Sequence, residues 1–397
     1  MPSSTMPSTT APSPDCPILL AGYPDRYPDV YHAVRVLMGD MTVVINQGDS
    51  TPKTIMVRNI EVPRVQRQNP GAIVTCPEEH APSAGLDSNR NIGFAQATAQ
   101  LFKQENVHCV VSNQMLPLIF VDLLNEAGIE VICDRQLGIL DRRAKDDWEI
   151  KQLTAAQSAT EDAIRFAYEI IRDADVSDDD TKTLIHEDQP LTSERLRSEI
   201  TLFLLKRGYA NDDSIVAPGS LGADCHNAGS GPLRLNAPII IDVFPTSKSS
   251  RYSGDCTRTL CRGEISPILR KMYEIVREAK SASIAASKAG ATGADVHAAT
   301  VNIFKSNGYH IGMPPANAPD DLIYYPHGTG HGVGLETHEP PILDEKNCEP
   351  LVAGDALTIE PGLYCKAIGG IRLEDMVIVE QSGCKNLNHL PESLWWD

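Results

Sequence analysis

The sequence predicts two domains in series, an α/β layered unit followed by an α+β unit. The first ground is length: 397 residues correspond to two domains at roughly 100–200 residues each. The second is the alternation of short apolar runs with helix-like segments between Pro17 and about Asp134. The third is the segregation of helical from strand-like stretches after Ser193.

In the first domain the apolar runs PILLAG, TVVIN, TIMVRN and GAIVTC read as strands, as do HCVVSN and IEVICD later on. NIGFAQATAQLFKQ and LPLIFVDLLNEAG read as the helices between them, and parallel pairing is expected. The domain is assigned residues 17–140. The preceding MPSSTMPSTTAPSPD has neither a basic start nor an apolar core, so residues 1–16 read as a disordered tail and not as a signal peptide.

The second domain is assigned residues 145–397. It opens on a helix from Ala144 to about Asp175, with Ile150, Leu153, Ile164, Ala167 and Ile171 at nearly helical spacing. RLRSEITLFLLKRG, ISPILRKMYEIVREAKSASIAASKAG and ADVHAATVNIFKSNG supply three more helices, the last two stopped by glycine. The runs between and after them, PIIIDVFP among them, read as strands.

Composition narrows the function. Hydrophobic residues at 42% and charged residues at 22% are ordinary for a globular chain. The net charge of −18 argues against nucleic acid or an anionic membrane as partner. No run approaches the ~20 apolar residues of a membrane span. Ten cysteines without a CxxC pair suggest free thiols and a cytoplasmic location.

The chemistry lies in acids that strand pairing brings together. Asp242 and Asp255 flank PTSKSSRYSG, and a hairpin centred on Lys248 and Ser249 sets them opposite one another. A turn around Lys366 to Gly369 likewise sets Glu360 opposite Glu374, with Arg372 on the face of Glu374. Four converging carboxylates repel unless cations or protons intervene. HGTGHGVGLETHEPP adds His327 and His331, whose even spacing in an extended segment leaves both on one side, while its glycines argue against a helix. One imidazole and four carboxylates suit two divalent ions, and +4 against −4 leaves the cluster neutral.

IIIDVFP, SGDCTRT, HGTGHGVGLETHEPP, TIEPGLY and GGIRLED, in this order, resemble the pita-bread metallopeptidases. Arg372 and the extra amino-terminal domain place the resemblance nearest aminopeptidase P and prolidase. It implies a creatinase-like amino-terminal α/β domain, a pita-bread catalytic domain, and hydrolysis of the Xaa-Pro bond at the amino terminus of peptides or dipeptides. It further implies that Asp242 binds one metal, Asp255 and Glu374 bridge two, and His331 and Glu360 bind the other, with manganese ahead of cobalt or zinc. Glu360 would also carry a proton from the attacking water. His226, His327 and His338 would position substrate, stabilise the carbonyl oxygen and pass a proton to the leaving nitrogen. Arg372 reads either as an electrostatic partner for substrate or as the counter-charge of a nearby acid. A homodimer is a family expectation.

The sequence departs from the family pattern in two places. The hairpin between Asp242 and Asp255 is two residues longer than usual, with Val243-Phe244-Pro245 after the first acid, and residues 312–326 form a longer segment that is a candidate cover for the cleft. Cys225 and Cys256 are expected to point away from the metals, and His297 to be a core or solvated histidine. Two other readings stay open: a same-fold hydrolase of a small non-peptide amide such as ectoine, and a non-catalytic peptide-binding relative.

Overall fold

The structure is a computed structural model describing residues 16–48 and 51–396. The tail expected over residues 1–16 falls, apart from Cys16, outside the described residues. The chain divides into two compact units, Met1–Arg142 and Arg143–Asp397.

The first unit is built on a six-stranded sheet in the order Ile73–Thr75, Thr54–Met56, Thr42–Asn46, Ile18–Gly22, Cys109–Ser112, Glu130–Cys133. Side chains alternate across it. Val43 and Ile45 pack with Phe94 and Phe102 of the helix Arg90–Gln104 and Phe120 and Leu124 of the helix Leu118–Glu126. Val44 and Ile55 face the other way, onto Val30 and Val34 of the helix Pro28–Val34. Each such aliphatic side chain contributes about 1.5–3 kcal/mol when fully buried.

Two expectations about this unit are corrected. Parallel pairing does not hold throughout, because Thr42–Asn46 runs antiparallel to both neighbours. The short link from Asn46 to Thr54 permits a hairpin but not the crossover that a parallel return requires. The thiols are not all free either. Ile18 pairs with Val111 in parallel strands, so Cys16 and Cys109 lie side by side, 5.3 Å apart at Cα, and form a disulfide. Their wide separation in sequence gives no hint of this, since strand adjacency decides it.

In the second unit the helix Asp147–Asp173 starts at Asp146, whose side chain accepts from Glu149 N while its own N–H donates to Glu149 Oε2, each at 2.9 Å. Its face of Ala163, Ile164, Ala167 and Ile171, with the helix Ser193–Lys206, covers the antiparallel strands Ser214–Pro218, Ile239–Val243 and Cys256–Leu260. One long hairpin then passes through two sheets. Ala356–Ile359 pairs with Asp375–Val379 in a five-stranded sheet, and Gly362–Cys365 pairs with Gly369–Arg372 in a four-stranded one. The helix Pro267–Ala286 packs Leu269, Met272 and Val276 against Leu363 and Ile371 of the latter.

No residue of the segment 312–326 lines the cleft described below. Tyr324–Tyr325 joins the four-stranded sheet, Tyr324 opposite Tyr364, and the Tyr324 hydroxyl donates to the Ala223 carbonyl at 2.8 Å. Burial of the two tyrosines pulls the segment's end into the sheet.

Asp375 anchors the hairpin at its sheet crossing. It accepts from Arg258 Nη2 at 2.8 Å, Lys280 Nζ at 2.6 Å and Asn386 Nδ2 at 2.8 Å. Burial alone would raise its pKa, but Arg258 and Lys280 outweigh burial and hold it at about 2. Asp375→Ala removes the carboxylate partner of buried Arg258 and leaves Lys280 with Glu392 alone, and is expected to lower unfolding free energy by roughly 3–5 kcal/mol in urea titration.

Candidate metal centre

Asp242 is the fourth residue of Ile239–Val243, a strand whose isoleucines bury it completely, so its carboxylate enters the unit's interior. The hairpin that carries it has a different register from the expected one. Asp242 lies opposite Thr257, and Val243 opposite Cys256. The pairing continues through Thr246 with Ser253, and Arg251 adopts φ 67° in the turn. The turn therefore centres one residue later than the sequence suggests, which moves Asp242's partner by two. An even shift keeps the face, and Asp242 and Asp255 still reach one cleft.

The second pairing matches the expected one. Ile359 opposite Asp375 on one side and Gly362 opposite Arg372 on the other leave Glu360 and Glu374 facing each other at the break between the two sheets. Thr257 Oγ1 donates to Glu374 Oε2 at 2.8 Å. His331 comes from the short strand Gly330–Gly332, pressed against Ala356–Ile359; a Cβ on Gly330 would sit 2.0 Å from the Thr358 carbonyl oxygen, so only glycine fits there. His331 Nε2 lies 3.4 Å from Glu360 Oε1 and 3.7 Å from Asp255 Oδ2.

The structure brings all nine sequence-nominated residues to one cleft of about 320 Å³: His226, Asp242, Asp255, His327, His331, His338, Glu360, Arg372 and Glu374. Burial, with mutual repulsion, pushes the Asp255 and Glu374 carboxyls well above the ordinary range. Burial likewise lifts Glu360 to about 7. Asp242 Oδ2 accepts from Arg372 Nη2 at 2.6 Å, while its buried Oδ1 has no hydrogen-bond partner. Asp255, His331 and Glu374 offer ligand atoms all within 4.8 Å of one another. An orphaned carboxylate oxygen and a tight oxygen-rich cluster fit divalent cations.

These features stand beside a match to known proteins. Residues 151–381, more than half of the chain, match metallopeptidase family M24. The chain belongs to metallopeptidase family M24. A Bacillus subtilis protein named an uncharacterized peptidase, YqhT, is 29% identical over 56% of this chain and 60% of its own length. The Xaa-Pro dipeptidase of Pyrococcus furiosus is 32% identical over 46% of this chain and 49% of its own length. The chain thus spans about half to three-fifths of these curated relatives. Among solved structures, the X-Pro aminopeptidase of Thermotoga maritima has a TM-score of 0.77 at 20% identity, covering 96% of this chain and 97% of that one. The Xaa-Pro dipeptidase of Bacillus anthracis has a TM-score of 0.76 at 25% identity, covering 96% and 94%. The fold is the pita-bread fold of the prolidase branch, behind an amino-terminal α/β unit.

Within this M24 cleft the histidines differ. His338 is exposed with its ring 4.2 Å from that of His331, and His226 is exposed at the rim. Burial, then the Arg372 charge, pushes His327 down to about 3, so it stays neutral; Nδ1 faces the Gly328 carbonyl at 2.7 Å and Nε2 faces the Tyr364 hydroxyl at 2.8 Å. Arg372, 3% exposed, also donates to that hydroxyl at 3.2 Å.

Tyr364 and Thr257 are residues the sequence reading passed over. Both were findable by parity: Tyr364 shares its alternation with Glu360, and Thr257 with Asp255. Cys256 is buried away from the cleft, as expected, but Cys225 lines it, because it sits in a loop after the turn Gly219–Ala223 where strand alternation does not apply. His297 is buried, with Nδ1 3.1 Å from Thr329 Oγ1.

The raised carboxyl pKa values make a stability prediction for chelated protein. The folded state holds protons that the unfolded chain releases near pH 4. The contribution of these groups to stability is therefore full below that pH and is lost as pH rises, through about 7 for Glu360. Thermal unfolding of the EDTA-treated protein is expected to show this loss, and saturating Mn²⁺ to remove it.

Proposed function

We propose that this cleft hydrolyses the bond between an amino-terminal residue and a following proline, with two divalent ions held by Asp242, Asp255, His331, Glu360 and Glu374. The observation that carries the reading is the convergence of four carboxylates and one imidazole on a single cleft in an M24 chain. A donor set without thiolate favours manganese, with cobalt and zinc as alternatives. When bound, the ions would supply Lewis acidity and make a water acidic near neutral pH.

The chain's own groups divide the remaining work. Glu360, whose Oε1 lies in the cleft 3.4 Å from His331 Nε2, is placed to take a proton from the attacking water and give it up again. His338 and His226, whose rings are exposed at the cleft, are placed to orient the peptide, hydrogen-bond its carbonyl oxygen and pass a proton to the leaving nitrogen. His327 has both nitrogens engaged and serves as a fixed wall with Tyr364. Arg372 holds Asp242 by one oxygen, leaving the other for a cation, and steadies Tyr364. It is the counter-charge of Asp242 in this reading, and it meets substrate only through the surface it lends the cleft.

A proline nitrogen within a peptide bears no N–H, so recognition rests on ring shape. Ile215, Phe244 and Ile342 in the cleft lining offer apolar surface for it. Relatives named Xaa-Pro dipeptidase and a fold neighbour named X-Pro aminopeptidase support the proline preference. A homodimer belongs to the same proposal, whereas the cytoplasmic location expected from free thiols loses that ground with the Cys16–Cys109 disulfide. No helix among the described residues is long and apolar enough to cross a membrane.

The test is release of the first residue from Xaa-Pro-Yaa peptides by chelated protein resupplied with Mn²⁺, Co²⁺ or Zn²⁺. Glu360→Gln is expected to lower kcat by about 10²–10⁴-fold. Comparing Xaa-Pro with Xaa-Pro-Yaa separates a dipeptidase from an aminopeptidase. No release from either class with any of the three ions would sink the proposal, and hydrolysis of small amides alone would favour the ectoine-type reading.

A further inference from the structure

The helix Asp147–Asp173 carries a buried polar stripe on the face turned to the Asp242–Asp255 hairpin. Glu149 accepts from the Tyr252 hydroxyl at 2.5 Å. A Cβ on Gly254 would lie 2.2 Å from Thr160 Oγ1 and 2.7 Å from the Ala156 carbonyl oxygen, so hairpin backbone and helix touch directly. Between these contacts sits Gln157, with no exposed surface. Its Oε1 accepts from Asp255 N at 2.8 Å, and its Nε2 donates to the Asp255 carbonyl at 2.7 Å. The same Nε2 donates to Asn388 Oδ1 at 2.9 Å, and that oxygen also accepts from Met376 N at 2.8 Å.

Asp255 lies one residue outside the strand Cys256–Leu260. Along that edge Thr257 is served by the second hairpin, since Glu374 N donates to its carbonyl at 3.1 Å. At Asp255 the side-chain amide of Gln157 takes the place of the neighbouring strand and meets both backbone groups as a ladder partner would. Through Asn388 the same amide is tied to Met376, two residues beyond Glu374. One side chain therefore links the backbone of Asp255 to the strand that follows Glu374.

We propose that Gln157 is a positioning residue for the metal centre: by clasping both backbone groups of Asp255 and tying them to the Glu374 strand through Asn388, it sets the separation of the two acids that would share the ions. The inference rests on the metal-binding reading above. Residues behind a ligand that fix its orientation typically alter metal affinity by about 10–100-fold when removed.

The experiment titrates Mn²⁺ into chelated full-length protein by calorimetry, comparing wild type, Gln157→Leu and Glu161→Leu. Glu161 lies on the same helix and also serves two backbone groups, accepting from His389 N at 2.6 Å and Leu390 N at 2.7 Å, with no bond to Asp255. Gln157→Leu is expected to weaken Mn²⁺ binding by at least about tenfold, with far-UV circular dichroism unchanged, while Glu161→Leu keeps the wild-type affinity. A folded Gln157→Leu protein with wild-type affinity overturns the inference, as does an equal loss in Glu161→Leu, which would mark a general effect of weakening the helix. Gln157→Met preserves chain length and volume should the leucine variant fail to fold. If neither folds, Gln157 is a strut of the whole unit and the assignment falls. Wild-type protein that takes up no Mn²⁺, Co²⁺ or Zn²⁺ overturns the metal reading itself, and is distinguishable because it needs no variant.

Discussion

The mutual repulsion of carboxylates withdrawn from water governs this molecule. Asp242, Asp255, Glu360 and Glu374 share one cleft, and each would lower its energy by turning outward. The fold prevents that by building them into two hairpins whose strands are buried on every side. Arg372 offsets one charge, at Asp242. The others are left to protons or to added cations, and the upward displacement of Asp255, Glu360 and Glu374 is the cost of that arrangement expressed as proton affinity. A cluster so arranged is a poor structural element and a good receptor for divalent ions.

Three of the four acids stand where a strand ladder breaks. Asp255 precedes its strand, Glu360 follows Ala356–Ile359, and Glu374 lies between two strands in different sheets. At each break the backbone N–H finds a partner outside its own hairpin: Asp255 on Gln157 at 2.8 Å, Glu360 on the Thr329 carbonyl at 2.8 Å, Glu374 on the Thr257 carbonyl at 3.1 Å. A regular ladder would send alternate side chains to opposite faces of a sheet. Interrupting it lets acids from a three-stranded, a four-stranded and a five-stranded sheet meet at their common junction, which these hydrogen bonds tie together.

What the sequence disclosed follows from what local rules govern. The pairing of Glu360 with Glu374 was legible because a Gly-rich turn fixes its register from both sides. The Asp242 pairing was displaced by two because SKSSR leaves the turn centre open, yet parity preserved the cleft. Strand direction at Thr42–Asn46, the Cys16–Cys109 disulfide and the lining role of Cys225 depend on which segments become neighbours, and no spacing encodes that. Gln157 was hidden for the same reason: an isolated glutamine on a helix gives no signal until the backbone it clasps is in place.

The two histidines four residues apart make the point about partners in its sharpest form. Each is followed by glycine, and each turns Nδ1 toward the carbonyl of that glycine, at 2.7 Å for His327 and 3.1 Å for His331. A carbonyl only accepts, so in both neutral rings the proton sits on Nδ1 and Nε2 presents a lone pair. At His327 that lone pair meets the Tyr364 hydroxyl, a donor, and the site is satisfied. At His331 it meets the Glu360 and Asp255 carboxyls at 3.4 and 3.7 Å, which when ionised are acceptors facing an acceptor and repel unless a proton or a cation lies among them. Identical local chemistry thus yields a structural histidine at one position and a candidate metal ligand at the other. The difference is what stands beyond Nε2: a hydroxyl that donates at His327, and at His331 two carboxyls that call for a proton or a cation between themselves and the ring.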